Sequence, residues 1–348
     1  MSKLRLVLAT ALVASLVQVP DAEARGARGT RARARARVER PRPVRRPRIR
    51  TTPVYRRPFQ ADPTVVRPNA PGKTRFAVIG DSGSGGAKQM AVAQQMARVF
   101  SKRPFESLVM LGDNVYENGE PHKMPKAIVG AYGRLFNKGV RALPTLGNHD
   151  IRTENGNAQL KYFGLGSRRF YKTRLAGGDV ELFSVDTTLL LPHKNYYPEG
   201  WRAKEAARQK QWLAKSLAQS KARYKLVIGH HPMYSSGEST GVDEGVIRQQ
   251  LDGLLRDHKV SAYLSGHHHH YERSRPQGGV THFVSGGGGK DSWRKGLEAP
   301  NANRAAGKRA SQFMLFELKA GKLHFESIDS AGKVLDHGVL PPSSGAAP

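Results

Sequence analysis

Five short apolar runs, each followed closely by a glycine, set what this chain can fold into. They are Phe76–Ile79, Leu108–Leu111, Leu143–Leu146, Leu226–Ile228 and Ala262–Leu264. Runs of about four residues rich in Val, Ile and Leu, bounded by glycine, read as buried strands. They lead into Gly80-Asp81-Ser82-Gly83, Gly112-Asp113-Asn114-Val115-Tyr116, Gly147-Asn148-His149-Asp150, Gly229-His230-His231-Pro232 and Gly266-His267-His268-His269. A carboxylate, amide or imidazole thus stands just past the carboxyl end of every run. In an open α/β sheet, loops from those ends converge on one crevice.

Helical patterns over Lys88–Ser101, Pro125–Asn137, Arg202–Ser220 and Val242–His258 alternate with these strands, which is the signature of an α/β sheet. In the third, Ala206, Gln209, Leu213 and Leu217 follow a helical period, with Lys and Arg on the other face. Strand patterns without helices cover Phe170–Thr173, Val180–Thr187, Val280–Ser285, Gln312–Leu318 and Lys322–Ile328. The last two meet at Lys319-Ala320-Gly321, a hairpin turn. The expected fold class is α/β: two mixed β-sheets packed face to face, with flanking helices.

The 348 residues carry a formal charge of +29 and no cysteine. Thiolate and disulfide chemistry are therefore excluded. Residues 1–24 combine Lys3 and Arg5, an apolar stretch from Leu6 to Val19, and Ala22-Glu23-Ala24. This reads as a secretory signal peptide rather than a membrane anchor, which needs about 20 apolar residues. The expected location is outside the cytoplasm: periplasmic, cell-surface or extracellular. Residues 25–72 are rich in Arg, Ala and Pro; from Arg25 to Arg67, 15 basic residues stand against Glu39 and Asp62. So charged and apolar-poor a segment is expected to be disordered. It reads as a solvated tether or a contact for a polyanion. The folded domain is expected over 73–337, with 338–348 a C-terminal tail.

Two strand-end carboxylates, an amide oxygen, a phenol and three imidazoles exceed what one small cation takes, since a single zinc wants four ligands. Seven groups suit two metals bridged by one carboxylate, the arrangement used for phosphoryl transfer and hydrolysis. Mixed oxygen and nitrogen donors point to iron, zinc or manganese and away from calcium.

At these residues the sequence resembles the purple acid phosphatases of the calcineurin-like metallophosphoesterase superfamily. Their pattern, GD-x-G, GD-x-x-Y, GNH-D/E, V-x-x-H and GH-x-H, occurs here in order as Asp81; Asp113 with Tyr116; Asn148, His149 and Asp150; Val227 with His230; and His267 with His269. The resemblance implies a ferric ion held by Asp81, Asp113, Tyr116 and His269. A divalent iron, zinc or manganese ion would be held by Asp113, Asn148, His230 and His267, with Asp113 bridging. It further implies hydrolysis of phosphomonoesters by a metal-bound hydroxide, with His149 contacting the phosphate and assisting the leaving group. Many members have a further histidine after V-x-x-H; Met233–Ser239 contains none, which leaves His231, Glu238 or another loop to substitute, or the chemistry to rely on His149 alone. A phosphodiesterase or nuclease of the same superfamily is the alternative enzyme. A polyanion-binding envelope protein with a vestigial metal domain is the alternative of another class.

Other features read more plainly. Gly80–Gly86 lacks Gly-Lys-Ser/Thr and the G-x-G-x-x-G spacing, which argues against a nucleotide cradle. His268 and His270 are expected to point away from the metals. Gly286–Gly289 is expected to let backbone approach the site, or to act as a hinge. Tyr196, Tyr197 and Trp201 are candidates for packing or for a substrate rim.

Overall fold

The apolar runs become the inner strands of two sheets in a computed structural model, which describes residues 74–237, 241–290, 297 and 301–343. The expected signal peptide, basic segment and residues 344–348 lie outside the described residues. In chain order the elements are β1 (Arg75–Ile79), α1 (Ala87–Lys102), β2 (Ser107–Met110), a π-helical stretch Pro125–Gly130 leading into α2 (Ala131–Phe136), and β3 (Arg141–Pro144). Then come α3 (Asn157–Tyr162), β4 (Tyr171–Leu175), β5 (Val180–Ser184), α4 (Glu199–Gln219), β6 (Tyr224–Ile228), α5 (Val242–Asp257) and β7 (Ala262–Ser265). The remaining strands are β8 (Tyr271–Ser274), β9 (Thr281–Ser285), β10 (Arg304–Lys308), β11 (Gln312–Lys319), β12 (Lys322–Asp329) and β13 (Val334–Leu340).

One sheet has the order β13-β12-β11-β1-β2-β3 and the other β10-β8-β9-β7-β6-β5-β4. Both are mixed. β1, β2 and β3 run parallel in one, and β5, β6, β7 and β9 in the other, while the flanking strands pair antiparallel. Strands covered on both faces read as unbroken apolar runs because neither face meets water, and β2, β5, β7 and β9 are buried at every position. Aromatic rings fill the space between the sheets. Phe283 of β9 lies 5.0 Å from Phe325 and 6.2 Å from Phe316, edge to face, and Phe316 stacks on Phe76 at 5.0 Å. The helices flank the sheets. α4 buries Ala206, Gln209, Leu213 and Leu217 as its period requires, and Gln89 of α1 donates to the Ala127 carbonyl at 2.6 Å, tying α1 to the stretch that leads into α2.

The expected end at His337 is corrected: β13 continues to Leu340. Asp336, His337 and Gly338 interrupt any apolar alternation, so pairing with β12, from Leu323↔Leu340 to Ile328↔Val334, creates the strand. Beyond it, Ser343 N donates to the Arg223 carbonyl (2.9 Å) and Ser343 Oγ accepts from Lys225 N (3.1 Å). That segment is docked rather than frayed.

Within the core, His282 of β9 is 3% exposed, makes no side-chain hydrogen bond, and packs its ring 4.6 Å from Tyr234. Burial alone pushes its imidazole pKa down to about 3. An unfolded histidine titrates near 6.5. The folded pKa is depressed, so the stability is fully present above about pH 6.5 and drains away as pH falls toward 3. Between about pH 7.5 and about pH 4.5 the loss should be about 2–3 kcal/mol. His282→Phe should remove that part of the acid sensitivity, measured by denaturant unfolding at both pH values. Identical pH dependence in the two proteins would refute the assignment.

Candidate metal centre

Parallel pairing brings the ends of β1, β2 and β3 level in one sheet and those of β6 and β7 level in the other. The loops past those ends are laced together by backbone hydrogen bonds: Asp81 N to Gly112 O (3.1 Å), Gly83 N to Asp113 O (3.0 Å), Gly266 N to His230 O (3.0 Å) and Gly288 N to Gly80 O (2.9 Å). Space is tight enough to demand glycine. A Cβ on Gly147 would overlap Asp113 Oδ1, and one on Gly266 would overlap Asp81 Oδ2. Asp81, Asp113 and His267 take left-handed backbone angles (φ 55°, 52° and 70°). Such angles cost a non-glycine residue roughly 1–2 kcal/mol each and persist where surrounding contacts over-determine them.

All seven residues expected as ligands meet here. His230 Nε2 lies 3.0 Å from Asn148 Oδ1, 3.3 Å from His267 Nδ1 and 3.4 Å from Asp113 Oδ1, and His267 Nδ1 is 3.1 Å from the same amide oxygen. Beside them, Tyr116 Oη lies 3.1 Å from Asp81 Oδ1 and 3.2 Å from His269 Nε2, which is 3.5 Å from that carboxylate oxygen. Asp113 stands between the two sets: it faces His230 on one side, and its charge and hydrogen bonding act on the Tyr116 phenol on the other. Asp81 and Asp113 are almost wholly buried.

The donor chemistry of this cluster fits cations. His230 Nδ1 donates to the Leu111 carbonyl at 2.9 Å, which turns Nε2 toward Asn148 Oδ1, His267 Nδ1 and Asp113 Oδ1. Burial opposes a charged ring there, yet Asp113 and Asp81 raise its pKa, so the pocket favours positive charge, which a proton or a metal ion can supply. Two trios present donor atoms within 4.8 Å of one another, Asp81-Asp113-His230 and His230-His231-His267. Burial, then Asp113 and Asp81, pushes the Tyr116 phenol well above its usual pKa. A phenolate at this position needs a strong cation beside it.

His149 reaches the same crevice but stays partly open. Its Nδ1 donates to the Glu117 carbonyl (2.6 Å), its backbone N–H donates to Asp113 Oδ1 (2.9 Å), and Arg152 Nη2 lies 3.5 Å from its Nε2. Its ring packs on Tyr116 at 4.7 Å.

Surrounding residues hold these in place. Asp150 is fully buried; it accepts from the backbone N–H groups of Asn114 (3.1 Å), Val115 (3.0 Å) and Gly147 (2.9 Å) and from Gln159 Nε2 (2.7 Å). One carboxylate thereby braces two loops, while burial first and Asp113 second raise its pKa to about 7. Thr187 Oγ1 accepts from the backbone N–H of both His230 and His231. His231 is wholly buried, with Nδ1 at 2.8 Å from that hydroxyl and its ring 4.5 Å from His267. So enclosed a ring does not replace the missing histidine at an open substrate face. Glu238 lies outside the described residues.

His268 and His270 do turn away from the cluster, into the interior rather than to the surface. His268 Nδ1 is 2.7 Å from Ser235 Oγ and its Nε2 faces Glu244 at 3.1 Å, while His270 Nε2 is 3.1 Å from Glu272 Oε2. Glu272 also accepts from Ser236 N with both oxygens. The loop past His230 is thus fixed from behind. Tyr197 and Trp201 pack on the guanidinium of Arg169 at 5.2 and 5.3 Å, which settles packing for that pair. Tyr196 is partly buried, and burial first and Asp243 second push its phenol pKa up to about 12. Sequence reasoning missed Thr187 and Glu272, which carry no motif, and quoted Asp150 only as part of a motif without its bracing role.

Comparison with known proteins agrees with this geometry. The family model described as Calcineurin-like phosphoesterase matches residues 74–271. Purple acid phosphatase 17 of Arabidopsis thaliana is 30% identical over 254 residues, covering 67% of this chain and 73% of that protein. Tartrate-resistant acid phosphatase type 5 of Homo sapiens is 29% identical over 297 residues, covering 77% and 90%. Among solved structures, purple acid phosphatase PPD1 from yellow lupin (Lupinus luteus) seeds superposes with a TM-score of 0.62 at 18% identity, over 76% of this chain and 53% of that one. The chain belongs to the calcineurin-like phosphoesterases, with purple acid phosphatases as its relatives, and is a metal-dependent phosphoester hydrolase.

Proposed function

We propose that this protein is an exported phosphomonoesterase in which Asp81, Asp113, Tyr116, Asn148, His230, His267 and His269 hold two metal ions. The observation that carries the reading is the convergence of Asn148 Oδ1, His267 Nδ1 and Asp113 Oδ1 on His230 Nε2 within 3.0–3.4 Å. Asp113, between the imidazole set and the Asp81-Tyr116-His269 set, would be the ligand shared by both ions. The harder oxygen set suits Fe(III), and the imidazole and amide set suits Fe(II), Zn(II) or Mn(II). Such a pair, when bound, acidifies water and offsets charge on phosphoryl oxygens.

The chain's own residues supply the rest. His149, held by the Glu117 carbonyl, turns Nε2 to the open side, where it contacts the phosphate and holds a proton for the departing oxygen. Arg152, 3.5 Å from that nitrogen, adds a donor to the same face. Export rests on the amino-terminal pattern of residues 1–24, and a polyanion contact on the Arg-rich segment 25–72. Among the described residues no helix is long and apolar enough to cross a membrane. Metal analysis combined with turnover of an activated monoester against a diester tests the reading. Dominant turnover of the diester would move it to the nuclease or phosphodiesterase branch.

The purified protein should contain two metals per chain, at least one of them iron, and absorb visible light through the Tyr116 phenolate. Tyr116→Phe should bleach or strongly shift the band, and a colourless wild type with full activity would exclude ferric ligation by this residue. Asp113→Ala should abolish hydrolysis and lose more metal than Asp81→Ala, because a bridge touches both ions; equal metal content in the two would contradict the bridge. His149→Ala should keep its metals and lose rate by about 100-fold or more, in the range of a lost general acid. A chain beginning at Lys73 should keep its turnover on a small monoester while losing part of a salt-sensitive retention on heparin, since the segment removed provides no ligand.

A further inference from the structure

We propose that the end of the domain opposite the metal centre docks on an anionic bilayer surface. Three connections place cations there: Lys221, Arg223 and Lys225 between α4 and the start of β6, Lys259 between α5 and β7, and Lys319 with Lys322 at the β11–β12 turn. These connections touch. Tyr224 Oη donates to the Gly321 carbonyl (3.0 Å) and accepts from Leu323 N (3.2 Å). The Arg223 guanidinium lies over Gly321, within 3.1 Å of where a Cβ would stand. Lys225 Nζ donates to the His258 carbonyl at 2.6 Å, next to Lys259. β6 runs from this end to the metal centre, so His230 lies about 20 Å away by strand rise.

Like charges are crowded here. Lys319 and Lys322 pair directly across β11 and β12, an arrangement that destabilises a hairpin unless something neutralises it. Burial, then the charge of Lys259, lowers the pKa of Lys225. Of the nearby carboxylates, Glu317 pairs with Arg75 at 2.5 Å, and Glu181, which stands opposite Lys225 across β5 and β6 and acts to raise its pKa, also pairs with Lys172 at 3.1 Å. Asp179 and Asp257 are exposed at this end, two carboxylates against six cations. Leu318 N donates to the Thr74 carbonyl (2.8 Å), so the chain enters the domain beside the same turn. The segment it brings has 15 basic residues against Glu39 and Asp62 from Arg25 to Arg67, leaving +16 of the formal +29 for the rest.

The shape and chemistry favour a lipid surface over nucleic acid. The cations sit on turns, connections and strand ends rather than along one face of a helix that could enter a groove. None of the six is interleaved with an exposed aromatic ring of the kind that stacks on bases. Clustered cations are a means by which proteins adhere to anionic headgroups. Docked this way, the metal centre faces away from the membrane.

The full chain should partition onto vesicles containing phosphatidylglycerol and not onto phosphatidylcholine alone, with binding that falls as salt rises. Lys221→Glu, Lys319→Glu and Lys322→Glu combined should lower the partition coefficient at least about tenfold, with turnover of a small aryl phosphate unchanged. If that variant folds poorly, the corresponding glutamine variant replaces it. Because the chain has no cysteine, single labels at Lys322→Cys and Glu154→Cys report orientation. Energy transfer to labelled lipid should be stronger from position 322. Equal partition of variant and wild type, equal or reversed transfer, or binding to duplex DNA without binding to anionic vesicles would each overturn the proposal.

Discussion

Level strand ends are the constraint on which the rest of this structure depends. In a parallel pair the register fixes which residues emerge side by side, and here Ile79, Met110 and Pro144 are in register in one sheet, as are Ile228 and Leu264 in the other. The seven donor residues follow within a few positions of those partners. A slip of one residue in any of these strands would move its donor by about 3.3 Å and turn its side chain to the other face. The apolar runs that bury these strands therefore act on the site directly: their packing sets the register, and the register assembles the donors.

Bringing so many acceptors together has a cost that the fold bears locally. Left-handed backbone at Asp81, Asp113 and His267, and buried carboxylates at Asp81, Asp113 and Asp150, are each unfavourable alone. Bracing offsets them. Asp150 draws backbone N–H groups from two loops, the Thr187 hydroxyl gathers those of His230 and His231, and Gly288 N–H closes on the Gly80 carbonyl. The cluster is braced from several directions, which is how a site comes to stabilise charge with little reorganisation.

Much of this was legible in the chain because it is written in short-range signals. Apolar runs ended by glycine mark the central strands, and the four amphipathic helices fall within a few residues of their expected limits. The seven donors lie together because each is tied to a strand end. What escaped reading depends on long-range pairing. β13 has no alternation of its own and exists through β12, and β10 pairs with β8 across 30 residues of sequence. Glu272 cannot be distinguished from a surface glutamate until Ser236 and His270 are seen against it. The π-helical stretch at Pro125–Gly130 likewise reads as an ordinary helix, since Pro125 suits the first turn of either.

The four histidines from His267 to His270 work as two interleaved pairs, one turned to the metal cluster and one to the glutamates behind it. Four identical residues thus answer to two different demands. Replacing His267 or His269 would act on the donor cluster, and replacing His268 or His270 would act on the support behind it. The uniform run in the sequence therefore hides a division of labour set by alternation along the chain.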